Sequence, residues 1–121
     1  MSLQDRPTAP ELLDAVREFL ERDVMNGDEI PGRVAFHARV AVNVLAIVER
    51  ELRLGPDLEA TERERLAALL GHDAEVDDLL AELADGIRDG SLDDRRDEVM
   101  ACVRESVRAK LEVANPRHLE R

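Results

Sequence analysis

One stretch constrains the fold of this chain more than any other. Residues 33–54, RVAFHARVAVNVLAIVERELRL, are dominated by apolar side chains and contain neither Gly nor Pro. On a helix the apolar positions fall nearly all round the axis, and they do not alternate as in a half-buried strand. Helices that are apolar nearly all round are usually buried. We therefore predict a central helix over 33–54, surrounded by the other elements.

Caps and helix breakers delimit four further helical segments. Thr8 and Glu11 have the spacing of a capping box, which predicts a first helix from about Ala9 to Val24. Pro31-Gly32 precedes the central helix, and Gly55-Pro56 is predicted to end it. A third helix is predicted to begin at Asp57 or Thr61 and to end at Gly71. A fourth is predicted to be capped by Asp73 and to end at Gly90. A fifth is predicted to begin at Ser91 or Asp93 and to end at Asn115-Pro116.

These segments predict an all-α fold, a single-domain antiparallel bundle of about five helices around the helix at 33–54. The domain spans 1–121, with tails at 1–7 and 116–121. On the third helix, Glu62 is predicted to be mostly solvated. The apolar positions of the flanking helices are predicted to face inward. In chain order they are Leu12, Leu13, Val16, Phe19 and Leu20; Leu58, Leu66, Leu69 and Leu70; Val76, Leu79, Leu80, Leu83 and Ile87; and Val99, Cys102 or Val103, Val107, Leu111 and Val113-Ala114.

Charge and cysteine content exclude several classes of function. A net charge of -11 argues against binding to nucleic acid or to an anionic membrane surface, because both depend on clustered basic side chains. The single cysteine, Cys102, excludes an internal disulfide and a multi-cysteine zinc site, and its apolar helical pattern predicts a place in the core. No N-terminal run resembles a signal peptide, so we expect a cytoplasmic protein.

The polar side chains on the predicted central helix are the candidate site. Arg39 and Asn43 are neighbours on one stripe, which Arg50 extends, whereas His37 lies near Arg33 on another side. Buried charge requires a partner, so Arg39 and Asn43 either bind helix ends and carboxylates of this chain or form a pocket for a carboxylate or phosphate. His37 and Arg39 point about 200° apart, which weakens an enzymatic interpretation.

No cofactor or metal site is predicted. The di-iron bundle motif needs Glu three residues before His, and none of His37, His72 and His118 has it. Residues 73–84 fail as a calcium loop, since they lack the glycine at the sixth position and have Ala84 in place of the bidentate Glu. Phosphate-binding, nucleophile-elbow and dinucleotide-binding motifs are also missing.

Several segments resemble a small bacterial family of helical proteins whose activity is not established. The resemblance is carried by RPTAPELL at 6–13, FHARVA at 36–41 with Asn43, IVEREL at 47–52, Leu54-Gly55, Lys110-Leu111 and Asn115-Pro116-Arg117. The family is expected to be encoded beside aminoglycoside-phosphotransferase-like kinases and acyl-CoA dehydrogenases. His118 stands where the family is expected to have Tyr, and no catalytic role is carried over.

Three hypotheses follow. The first is a non-enzymatic accessory or protein-interaction module for a kinase-like or acyl-CoA dehydrogenase-like enzyme. The second is a domain, binding or enzymatic, that holds a small anionic ligand beside Arg39 and Asn43. The third is a homodimer formed through an aliphatic helix face.

Overall fold

The computed structural model describes residues 7–26 and 29–120, and the regular secondary structure of this part of the chain is all helical, without a strand. Its α-helices are α1 (Ala9–Phe19), α2 (Gly32–Leu70), α3 (Val76–Asp89) and α4 (Arg96–Ala114). A π-helical turn, Leu20–Val24, and two 3₁₀ segments, Asp93–Arg95 and Pro116–Glu120, complete the secondary structure. The all-α prediction is confirmed, whereas the antiparallel arrangement stays a prediction.

The first helix begins as its sequence predicts. The Thr8 hydroxyl accepts a hydrogen bond from the Glu11 amide at 3.3 Å, and the Glu11 carboxylate accepts one from the Thr8 amide at 3.1 Å. These two bonds form the capping box, and Pro10 lies in the first turn where no amide is needed. The π-helical turn carries the helical path to Val24, the predicted end.

The predicted end of the central helix is wrong. α2 continues through Gly55 and Pro56 to Leu70, so the predicted second and third helices are one helix of 39 residues. Among the described glycines only Gly71 and Gly90 have positive φ, so Gly55 does not adopt the left-handed conformation of a C-cap. Pro56 removes one backbone hydrogen bond, but the Glu, Arg, Leu and Ala residues around it favour helix strongly enough to continue it.

Left-handed glycines end α2 and α3. Gly71, at φ 85°, follows the last residue of α2, and Gly90, at φ 81°, is the C-cap of α3, both as predicted. The predicted N-cap of α3 is wrong: Glu75 occupies that position, and Asp73 instead forms an ion pair with Arg63. Because the Arg63 guanidinium binds the Asp73 carboxylate, that carboxylate is not used as a cap.

The chain divides into two compact units at residues 54 and 55. The unit that begins at Gly55 contains a hydrophobic core. Leu66 and Leu79 are completely buried, at 0% exposure. The core side chains come from the C-terminal part of α2, from α3 and from α4: Leu66, Leu69, Leu79, Leu83, Val99 and Cys102. Most of the predicted inward positions are therefore confirmed here, but Ile87 and Val107 are exposed.

The unit that ends at Leu54 buries much less. Among its described residues only Ala38 is classed as buried. On α1 the predicted inward side chains Leu12, Val16 and Phe19 are exposed, and α2 exposes Phe36, Val40, Val44, Val48 and Leu52. Within this unit, the described residues therefore do not enclose the helix at 33–54 as predicted. In the described residues no helix has the combined length and hydropathy that a membrane span requires.

Candidate functional site

The predicted site residues lie on the N-terminal part of α2 and face solvent more than expected. Arg33, His37, Arg39 and Asn43 are exposed, and Arg50 is half-buried. Within residues 7–26 and 29–120, Arg39 and Asn43 form neither a side-chain hydrogen bond nor an ion pair. The premise that burial forces Arg39 to find a partner does not apply to an exposed guanidinium, so its charge remains hydrated.

His37 also lies apart from Arg39, because side chains two positions apart point in opposite directions on a helix. Its imidazole contacts the ring of the adjacent Phe36, with centroids 5.6 Å apart and a tilt of 59° between the ring planes. Neither residue lines any of the three cavities described here. None of these three cavities therefore brings the predicted residues together.

An apolar groove lies instead in the second unit. It has a volume of about 570 Å³ and is lined by Ile87, Leu92, Asp93, Arg96, Val99, Met100 and Val103. Met100 and Ile87 are exposed, at 42% and 49%, so the groove is open to solvent. Asp93 and Arg96 contribute one charge of each sign to an otherwise aliphatic lining. Such a lining can bury an apolar side chain and orient a polar neighbour.

Two glycines at the C-terminal end of α3 set the position of Leu92 in this groove. Gly90 allows the left-handed turn that ends α3. Gly86 is buried, and a Cβ built there would lie 2.7 Å from Leu92 Cδ1, closer than real contacts permit. A glycine inside a helix, taken by itself, lowers the stability of that helix. In the folded chain Gly86 makes room for Leu92 beside α3.

The groove was not predicted, although its signal is visible in the sequence. Met100, Val103 and Val107 follow each other at intervals of three and four residues, which defines a second apolar stripe on α4. That stripe lies beside the buried positions Val99 and Cys102. The inward positions predicted for this helix include Val107 and, as an alternative to Cys102, Val103, but they do not include Met100.

A buried polar cluster joins α2 to α4 within the same unit. Glu62 is only 9% exposed, and its carboxylate accepts hydrogen bonds from the Arg65 guanidinium at 2.7 Å and from the Ser106 hydroxyl. The predicted solvated position of Glu62 is therefore wrong. The spacing Leu58, Glu62, Leu66 places this carboxylate on the apolar stripe, and that spacing was the available signal.

Cys102 lies beside this cluster and is buried, as predicted. Burial raises the pKa of its thiol, and the nearby Glu62 carboxylate adds to the rise, while Arg65 opposes it. A thiol whose pKa is raised holds little thiolate at neutral pH and is a poor nucleophile. The cluster is therefore suited to fixing the packing of α2 against α4 rather than to nucleophilic chemistry.

Ion pairs surround the turn between α2 and α3. Arg63 binds Asp73 at 2.9 Å, and this bond lowers the pKa of the Asp73 carboxyl. His72 contacts Glu82 at 2.5 Å, and the hydrogen bond and charge of Glu82 raise the pKa of the imidazole. In the part of the chain that the structure describes, no group of three or more His, Cys, Asp or Glu side chains is arranged to hold a metal ion.

The comparisons with known proteins give a family without an assigned activity. No curated protein and no solved structure matches the chain. One family model, described as a domain of unknown function (DUF6285), matches residues 28–118, which include the predicted site residues on α2 and the whole of the groove between α3 and α4. Because the match covers most of the sequence, the chain belongs to the DUF6285 family.

Proposed function

We propose that this chain is a non-enzymatic accessory module that binds a partner enzyme through the apolar groove of its second unit. The single observation that carries the proposal is the lining of the groove, in which Ile87, Leu92, Met100 and Val103 are brought together around one opening. An aliphatic lining offers burial of apolar surface rather than proton transfer. Binding is therefore the activity that these side chains support.

The occupant we propose is the apolar face of an amphipathic helix from the partner. Helical ligands place side chains at intervals of three and four residues into grooves of this kind. Met100 suits such a role because its flexible thioether adapts to differently shaped side chains. Asp93 and Arg96 supply polar contacts of both signs next to the aliphatic surface, which favours a ligand with charged positions flanking its apolar ones.

The class of partner rests on the family resemblance of the sequence. The expected gene neighbours are aminoglycoside-phosphotransferase-like kinases and acyl-CoA dehydrogenases, so we propose an enzyme of one of these classes, met in the cytoplasm. On this proposal the chain contributes no catalytic group. It acts on the stability, assembly or location of the enzyme that it binds.

A pull-down from the native host at native expression level tests this proposal. Met100→Glu places a charge in the groove, whereas the control Ala84→Glu places the same charge on an exposed position of α3 outside it. We expect the wild-type chain and Ala84→Glu to recover an enzyme of one of the two classes, identified by mass spectrometry, and Met100→Glu to lose at least about 90% of it. Recovery of neither class by the wild-type chain, or equal recovery by both variants, would overturn the proposal.

The second candidate function, an anionic ligand held by Arg39 and Asn43, has one observation in its favour. Both side chains are exposed and unpaired within the described residues, so they are available to a carboxylate or phosphate. Neither side chain lines any of the three described cavities. Because solvent screens an exposed contact of this kind, we rank ligand binding below the groove.

A further inference from the structure

The exposed side of α2 in the first unit carries a pattern that the groove does not explain. Its side chains recur at alternating intervals of four and three residues, the heptad spacing that forms a straight seam between two packed helices. The seam positions are Arg33, His37, Val40, Val44, Ile47 and Glu51. All are exposed except Ile47, which is half-buried, and the exposed side chains of Phe36 and Val48 lie beside the seam.

The order of residues along this seam is self-complementary. Arg33 and Glu51 stand at its two ends, separated by five helical turns or about 27 Å on the same line of the helix. Two copies of α2 that run antiparallel, with their two-fold axis level with residue 42, place Arg33 of each copy against Glu51 of the other. The same register places His37 against Ile47 and Val40 against Val44. Each contact occurs twice, as an isologous two-fold interface requires.

A parallel pairing lacks this complementarity. It would place Arg33 beside its own equivalent in the other copy, and Glu51 beside its own equivalent, so like charges would meet at both ends. Neither side chain has an ion-pair partner among residues 7–26 and 29–120, and both are therefore available to a second copy. The charges select the antiparallel orientation, while the three aliphatic seam positions, Val40, Val44 and Ile47, supply the burial.

The area that the seam can bury is sufficient for a specific dimer. A fully exposed large apolar residue has an accessible surface on the order of 150–200 Å². On that basis, the apolar surface that the seam, Phe36 and Val48 leave exposed is roughly 400 Å² per copy. Together with the stems of Arg33, His37 and Glu51, two copies would bury on the order of 1,200 Å², the lower end of standard interfaces. An interface of this size with aliphatic contacts at its centre is consistent with micromolar affinity.

The geometry points to a homodimer in which residues 33–51 of α2 pair antiparallel with the same segment of a second copy, Arg33 of each against Glu51 of the other. This pairing is independent of the groove at Met100. It assigns an occupant to the aliphatic surface that stays exposed among the described residues of the first unit. The chain would then present two grooves, one on each copy.

The first test is the mass of the particle as a function of concentration, by light scattering or sedimentation with refractive-index detection, since the chain has no Trp or Tyr. Val44→Glu places a charge in the seam, and its matched control is Val107→Glu in the second unit, because the two valines are 52% and 50% exposed. We expect wild type and Val107→Glu to dimerise at micromolar concentration and Val44→Glu to bind at least tenfold more weakly. A wild-type chain that is monomeric at about 1 mM, or variants with equal affinity, would overturn the dimer.

The second test addresses the register by charge reversal. Arg33→Glu alone sets two acidic side chains against each other at both ends, and Glu51→Arg alone sets two basic ones, so each is expected to weaken the dimer by roughly three- to tenfold. The double variant restores opposite charges and is expected to return to within about threefold of wild type. Two weakened single variants without recovery in the double variant would overturn the antiparallel register. So would single variants with wild-type affinity.

Discussion

The two units treat apolar side chains in opposite ways. In the unit from Gly55 onward, Leu66 and Leu79 are completely buried and belong to a core built from three helices. In the unit ending at Leu54, the similarly apolar Phe36 and Val44 are more than half exposed. Local sequence alone therefore does not decide burial. What decides it is whether enough apolar faces from other helices are available to cover a given stripe.

The same contrast holds for polar groups. The second unit contains a connected, largely buried cluster formed by Glu62, Arg65 and Ser106. In the first unit, by contrast, Arg39 and Asn43 remain exposed without partners among the described residues. A region that fixes its polar groups in this way is suited to be a stable scaffold. A region that leaves charged and apolar side chains side by side on its surface is suited to contact another molecule.

The largest expected effect is the loss of a core leucine in the second unit. Leu79→Ala removes a side chain with 0% exposure and leaves a cavity, so we expect it to lower the free energy of unfolding by about 3 kcal/mol. Val44→Ala in the first unit should lower the free energy of unfolding by less than about 1 kcal/mol, because that valine is already 52% exposed. Urea unfolding followed by far-ultraviolet circular dichroism measures both values.

The measurement needs a protein concentration at which the monomer dominates, because dimerisation would add stability that Val44 supports. If the two substitutions had equal effects at low concentration, the contrast between a packed unit and an exposed one would be incorrect. A larger effect of Val44→Ala at high concentration, with Leu79→Ala unchanged, would tie the first unit to self-association.

A second comparison concerns charged groups. Glu62→Ala leaves the largely buried Arg65 guanidinium without its carboxylate, while the Ser106 hydroxyl keeps the Cys102 carbonyl as an acceptor, so we expect a loss of about 2 kcal/mol in unfolding free energy. Arg39→Gln removes an exposed guanidinium that has no partner in the described residues, and the expected change is within about 0.5 kcal/mol. Denaturant unfolding at fixed pH gives both numbers.

Phosphate titration of the Arg39→Gln variant also separates the two proposed functions. If the wild-type chain binds inorganic phosphate and Arg39→Gln abolishes that binding, the result would favour the ligand-binding function over partner binding at the groove. A loss above about 1.5 kcal/mol for Arg39→Gln would show instead that the guanidinium has a structural partner. The second outcome would reduce the difference between the two units in how their polar groups are paired.

The sequence predicted helix type well because periodicity and caps are local. The capping box at Thr8 and Glu11 and the left-handed glycines Gly71 and Gly90 each act within one turn, and all are confirmed. The prediction failed at Pro56, where strong helix formers on both sides outweighed one lost hydrogen bond. It also failed for the exposure of 33–54, because a nearly all-round apolar helix does not reveal whether its cover comes from the same chain.

The candidate site was predicted less well, for a related physical reason. Arg39 and Asn43 were selected on the premise that their helix is buried, and exposed side chains remove that premise. The groove at Ile87 and Met100 depends on the path of the chain between α3 and α4, which Gly86 makes possible by admitting Leu92. The packing of Leu92 against α3 leaves no periodic pattern in the sequence, although the second apolar stripe of α4 indicates where the groove lies.

The smallest expected effect is a pH dependence confined to the second unit. The Glu82 carboxylate raises the pKa of His72 above its usual value, so the folded state binds the imidazole proton more tightly than the unfolded state does. The stabilisation is fully present below the unfolded pKa, near about 6.5, and is lost as pH rises through the folded pKa. His72→Gln should therefore destabilise the chain more at pH about 5.5 than at pH about 9. The matched substitution His37→Gln, in the first unit, removes an imidazole that has no carboxylate partner among the described residues and serves as the control. Urea unfolding of both variants and the wild type at the two pH values checks this.

Because His72 and Glu82 are both about half exposed, solvent screening keeps the effect small, and added salt should reduce it further. A difference that grows with rising pH would show that the ion pair does not stabilise the fold.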